Sequence, residues 1–181
     1  MSYSKRTFSA YYLWMLILIA LGAVSCQETN DVLTNPVIEA FRSDTGIDAV
    51  WVSDTTLLNT VKGWQGSGDY PGVDDWAIAT IPAGLDLYGG LPGQSEYYTI
   101  EQTLIDADTM KTPYWESLQV KAHPTFGYRP MVGVFDLNQV TTVAIARTLA
   151  NPQYGNGGAW QIYVENYGTD LTVLDTVTLQ N

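Results

Sequence analysis

The second half of the chain is dense in strand-length runs of β-branched and aromatic residues, and this limits the folds open to it more than any other feature. Val132–Leu137, Val140–Ala146, Trp160–Val164 and Leu171–Leu179 are bounded by a turn around Asn138, by Asn151-Pro152 and by a glycine cluster at 155–158, so each reads as a strand. The first half adds Ile47–Val52, Trp76–Ile81, Leu85–Tyr88, Glu96–Thr99 and a brief run at Leu118–Val120, with the glycines of 89–93 expected to break the pattern. Helices are expected to be few and short. One starts at the Asn35-Pro36 cap, carries Val37, Ile38 and Phe41 on one face and stops at Gly46. A second covers Thr55–Trp64. A third is capped by Thr99 with Gln102, and a fourth opens at Thr112-Pro113 and carries Tyr114 and Trp115. Gln65–Asp75 and Lys121–Pro130 read as loops. Together these predict one β-rich α+β domain with two small packed or split sheets and a few short helices.

The amino terminus reads differently. Lys5 and Arg6 precede an apolar run from about Ala10 to Val24, which is followed by Ser25 and Cys26, the chain's only cysteine. Basic, apolar and small-residue segments in that order are the layout of a secretory signal. Ala23-Val24-Ser25-Cys26 resembles the lipobox of bacterial lipoproteins, whose cysteine becomes a lipid-modified amino terminus. The resemblance implies a signal peptide over 1–25, lipidation of Cys26, a polar tether over 26–34 and the α+β domain over 35–181. It also implies an extracytoplasmic protein held to a bacterial membrane, on the periplasmic face or the cell surface.

The formal charge is −11, and the chain beyond Cys26 is more acidic still, because Lys5 and Arg6 precede it and every acidic residue follows it. Such a surface repels phosphate backbones, which argues against nucleic-acid binding. One histidine, His123, and one cysteine cannot build a usual zinc site, so no metal is expected. No G-x-S-x-G elbow or P-loop is present, and a Ser-His-Asp triad would depend on His123 in an otherwise featureless loop. The three aspartates of the 65–75 loop lack the alternating oxygen ligands of a calcium loop and read as turn residues.

Two stretches remain that can carry chemistry: Leu85–Leu104, LDLYGGLPGQSEYYTIEQTL, and Tyr154–Tyr167, YGNGGAWQIYVENY. They resemble ADP-ribosyltransferase-like domains, in particular the small NAD-consuming toxin domains carried at the ends of bacterial polymorphic and RHS-associated effectors. In that resemblance Leu87-Tyr88-Gly89-Gly90 is the first core strand, and Tyr97-Tyr98-Thr99 is the second, running into its helix. The glycine segment with Gly157 and Gly158 then brings Gln161 to the cleft. The resemblance implies NAD glycohydrolase or ADP-ribosyltransferase-like chemistry, with NAD as substrate and no tightly bound cofactor. Breaking the nicotinamide–ribose bond builds positive charge on the ribose. The site therefore needs an oriented oxygen, aromatic faces and a cation for the diphosphate. Gln161 would supply the first, Tyr88 and Tyr98 the second and Arg129 the third, with Thr99, Gly157 and Gly158 shaping the walls.

Six tryptophans and twelve tyrosines beside few catalytic side chains also fit a second class, a non-catalytic lipoprotein that binds glycan or protein at the envelope. The two classes separate on geometry: an enzyme needs Tyr88, Tyr98, Arg129 and Gln161 in one concavity. The anchor has its own test. Metabolic labelling with a fatty-acid probe should mark the wild-type protein and leave Cys26→Ala unlabelled and released from the membrane fraction.

Overall fold

The computed structural model describes residues 34–181. The predicted signal peptide, Cys26 and all but the last residue of the tether lie outside the described residues. Helix α1 (Pro36–Thr45) begins where the sequence predicts. The Asn35 side chain accepts from the Val37 N–H at 2.9 Å, and Gly46 closes the helix at φ 71°. Strand β1 (Val50–Trp51) leads into α2 (Thr55–Gly63), capped by Asp54. Then follow β2 (Ala77–Ile81), β3 (Asp86–Leu91), β4 (Tyr97–Tyr98), α3 (Glu101–Asp106), α4 (Lys111–Ser117), β5 (Met131–Leu137), β6 (Thr141–Arg147), β7 (Trp160–Tyr163), α5 (Tyr167–Asp170) and β8 (Leu171–Thr178).

These strands form two antiparallel sheets, one of five strands in the order β1-β2-β6-β7-β4 and one of three in the order β3-β5-β8. The fold is the expected β-rich α+β class, with short helices around the two sheets. Strand alternation divides the core. Ala77, Ala79, Ile81, Val143, Ile145, Trp160 and Ile162 face a central layer with Ile38 and Phe41 of α1 and Leu87, Phe135 and Leu137 of the smaller sheet. Ile78, Ala144, Ala146 and Tyr163 point the other way, onto Leu57 and Val61 of α2. Tyr114, Trp115 and Leu118 join Tyr88, Val132 and Leu104 in a third cluster.

Besides this packing, one backbone bridge joins the two sheets. Immediately after β4, the Thr99 N–H donates to the Tyr88 carbonyl and the Tyr88 N–H donates to the Thr99 carbonyl, both at 2.8 Å. Three local expectations give way here. Thr99 does not cap α3 with its side chain; that helix starts at Ile100 without a side-chain cap. The Thr99 hydroxyl is fully buried and donates to the Trp160 carbonyl at 2.6 Å, and it lies 2.6 Å from the Thr103 hydroxyl. The glycines at 89 and 90 do not break β3, which pairs with β5 through Leu91. Leu118–Val120 is not a strand but a turn following α4, with Gln119 at φ 57°.

Thr99 thus ties strands of both sheets and a helix to one buried residue. Thr99→Val keeps the volume but removes the donor, leaving the Trp160 carbonyl and the Thr103 hydroxyl short of a partner. Urea denaturation should show a loss of roughly 2 kcal/mol, within the range for buried polar groups stripped of their partners.

Candidate functional site

A cleft of about 670 Å³ lies beside the Tyr88–Thr99 junction. Tyr88, Gly89 and Gly90 of β3 form part of its wall, Tyr97 and Tyr98 of β4 another part, and Gln161 of β7 projects from the larger sheet. The remaining wall comes from Tyr114 and Trp115 of α4, the turn at Leu118 and Gln119, the 120–129 loop, and Trp64, Gln65 and Tyr70 after α2. Tyr88, Tyr98, Arg129 and Gln161, dispersed over more than seventy positions of sequence, therefore line one concavity.

Glycine makes this wall buildable. A Cβ on Gly89 would stand 2.8 Å from the Tyr98 ring, and one on Gly90 would stand 2.6 Å from Arg129 Nη1 and 2.8 Å from Trp115. Bare backbone lets the Tyr98 ring pack against β3 and lets the Arg129 guanidinium reach the Gly90 carbonyl at 3.3 Å. Tyr98 is also held by Phe135, edge to face at 5.3 Å, and its hydroxyl accepts from Gln94 Nε2 at 2.7 Å. Burial raises the Tyr98 phenol above its ordinary range, with the Gln94 bond acting the other way. Burial also pushes Tyr97 up to about 12, and it raises Tyr88, assisted by Glu101 and Asp86. These phenols stay neutral at physiological pH and are not bases.

Loops at the mouth are held by specific bonds. The Trp115 indole N–H donates to the Arg129 carbonyl at 2.8 Å and fixes the end of the 120–129 loop. Lys121 Nζ meets Asp69 Oδ2 at 2.6 Å, which lowers the Asp69 carboxyl and raises the Lys121 amine from their ordinary values. His123 and Gly127 exchange backbone hydrogen bonds at 3.0 and 2.8 Å. His123 Nδ1 accepts from the backbone N–H groups of Thr125 and Phe126 at 3.1 and 3.2 Å, so the only histidine shapes its own loop. Asp74, an acid in the supposed calcium-like stretch, is buried instead. It accepts from Gln65 Nε2 at 2.7 Å and the Leu149 N–H at 2.8 Å, and Gln65 Oε1 in turn accepts from the Asp74 N–H and the Trp76 indole.

Three of the predicted site residues lie elsewhere. Thr99 sits inside the core at the sheet junction. Gly157 and Gly158 do not line the cleft. Gly157 packs on the backbone of Thr148 and Leu149, where an added Cβ would fall 2.4 Å from the Leu149 carbonyl oxygen. Gly158 donates to the Thr148 carbonyl at 2.8 Å and accepts from Arg147 at 2.7 Å. The glycine segment is thus a tight backbone crossing that leads into β7 and does not form a ligand wall. Sequence reading missed Tyr114, Trp115 and Gln119 as cleft residues. The first two read as helix core, and nothing in the local pattern marks a glutamine in a turn.

The family model of the Rhs1 C-terminal toxin domain matches residues 53–166. This chain belongs to the Rhs1 C-terminal toxin domain family. The match takes in β2 through β7 and every cleft-lining residue named above. Among solved structures the chain is similar to Rhs1-CT in complex with its cognate immunity protein RhsI1, at 32% identity and a TM-score of 0.67, covering 71% of this chain and 100% of that one. Tse6 in complex with Tsi6 aligns at 14% identity and a TM-score of 0.42, over 76% of this chain and 90% of that one. Comparison with curated proteins finds no match. The RHS-type toxin expectation thus stands as a family assignment.

Gly89→Ala tests whether the cleft wall depends on bare backbone. The ring of Tyr98 is 2% exposed and has no room to retreat. The substitution should cost about 1–3 kcal/mol of stability as overpacking, read as a lower urea midpoint, whereas Gly63→Ala, with open space around its Cβ, should show no comparable loss.

Proposed function

We propose that this RHS-type toxin domain processes NAD, as an NAD glycohydrolase or ADP-ribosyltransferase-like effector. The observation that carries the proposal is the convergence of Tyr88, Tyr98, Arg129 and Gln161 on one cleft. Its chemistry suits a dinucleotide. Neutral aromatic faces accept flat rings, and Arg129 at the rim of β3 offers a fork of donors to a diphosphate. Gln161, partly buried on β7, supplies an amide oxygen that can hold ribose hydroxyls as charge develops at the anomeric carbon. Water or an acceptor nucleophile then takes the ribose carbon as the bond to nicotinamide breaks and nicotinamide departs neutral.

The similar Rhs1-CT chain was solved with a cognate immunity protein, and by that likeness we assign this chain an inhibitory protein partner. The lipobox-like Cys26 adds a membrane anchor to the proposal, so that the domain would act from an envelope surface.

Nicotinamide release from NAD by the purified protein, followed by chromatography, is the test. Gln161→Ala should lower kcat/KM by about 100-fold or more, the scale of losing one preorganised polar group in a closed site. Arg129→Ala should act mainly on KM. A wild-type protein that neither binds NAD nor releases nicotinamide refutes the proposal, and binding without release would favour the non-catalytic binding module.

A further inference from the structure

Among the described residues, three buried side-chain polar atoms lack a hydrogen-bond partner: Tyr114 Oη, Gln119 Nε2 and Trp160 Nε1. Trp160 does not line the cleft, and the cation of Arg147 stacks on its ring at 4.5 Å. The other two belong to residues of one wall of the cleft, five positions apart, Tyr114 in α4 and Gln119 in the turn after it. Tyr114 is fully buried and Gln119 is 8% exposed. Gln119 also holds φ 57°, a region that non-glycine residues avoid. The turn itself does not require glutamine. Its backbone bond, from the Gln119 N–H to the Glu116 carbonyl at 3.2 Å, would form with glycine at lower strain. A glutamine that is strained, buried and unpartnered in a cleft wall is explained by a group that enters the cleft and pairs with it.

A glutamine amide presents a donor and an acceptor side by side. Its complement is a flat edge that carries an acceptor beside a donor. The neighbouring rings of Tyr114 and Trp115, packed edge to face at 4.8 Å, favour a planar group. We propose that Gln119 is a specificity-determining residue of the cleft, pairing through its carboxamide with a planar ring edge of the ligand. The inference rests on the NAD reading and deepens it. NAD carries such an edge at both ends, as the primary carboxamide on the pyridinium ring and as the amino group beside a ring nitrogen of adenine.

The experiment measures KM and kcat of the full chain with NAD, with nicotinic acid adenine dinucleotide and with nicotinamide hypoxanthine dinucleotide. Each analogue replaces the donor of one edge with an acceptor. Wild type should show a KM raised by about tenfold or more for one analogue, which identifies the end that is read. Gln119→Leu, close in volume, should raise the KM for NAD by a similar factor, keep kcat within about threefold and erase the preference. Where Gln119→Leu does not fold, Gln119→Asn replaces it. Asparagine tolerates the backbone angle, and its shorter amide should lose most of the preference. If wild type turns over NAD but treats both analogues as NAD, or if a folded variant keeps the wild-type KM ratios, the inference is overturned and the NAD reading stands. If wild type neither binds nor cleaves NAD, both fall.

Discussion

The pair of backbone hydrogen bonds between Tyr88 and Thr99 is the constraint on which the rest of the molecule depends. It is the one antiparallel bridge from the five-stranded sheet to the three-stranded sheet among the described residues. At this bridge the chain leaves β4, touches β3 and turns into α3. Buried backbone groups must find partners, so residues beyond the bridge pair within their own sheets. The cleft lies beside this bridge, lined by β3, β4, β7, α4 and the loops around them. The Thr99 side chain reinforces the same point from the inside, fastening the start of α3 to the carbonyl of Trp160 at the head of β7. The strand that carries Gln161 and the strand that carries Tyr88 are therefore both tied to Thr99.

Around that opening, rigidity comes from several independent fastenings. The rings of Tyr98 and Phe135 lie over the glycines of β3 and β5, and Trp115 and Arg129 lie over Gly90. The loops at the mouth are closed by the Lys121–Asp69 pair, the Gln65–Asp74 exchange and the His123 turn. A ligand entering such a site meets walls already in place, which limits the ordering entropy that binding would cost. Cationic groups near the opening are few. Lys121 is engaged with Asp69, and Arg129 holds a carbonyl with only one of its guanidinium nitrogens.

Much of the scaffold was legible because short-range rules govern it. The Asn35-Pro36 start, the Gly46 stop and the β-branched strands of the second half follow from capping and alternation, which act over a few residues. Where the reading failed, a distant partner had overruled the local rule. Gly89 and Gly90 stay in a strand because Tyr98, Trp115 and Arg129 cover them. Thr99 gives its hydroxyl to Trp160, not to its helix. Gly157 serves a close contact with Leu149 that no neighbour in sequence announces.

The sequence by itself determined the fold class, most of the element boundaries and the fact that Gln161 would follow a glycine-rich entry onto a strand. Composition, period and caps are local quantities and suffice for that. Only the tertiary structure decided which residues share the cleft. It brought Tyr88, Tyr98, Arg129 and Gln161 together, sent Gly157 and Gly158 behind the wall, and turned Gln119 inward at a backbone angle no pattern foretold. Membership of a cavity depends on contacts between residues far apart in sequence, such as the exchange between Tyr88 and Thr99.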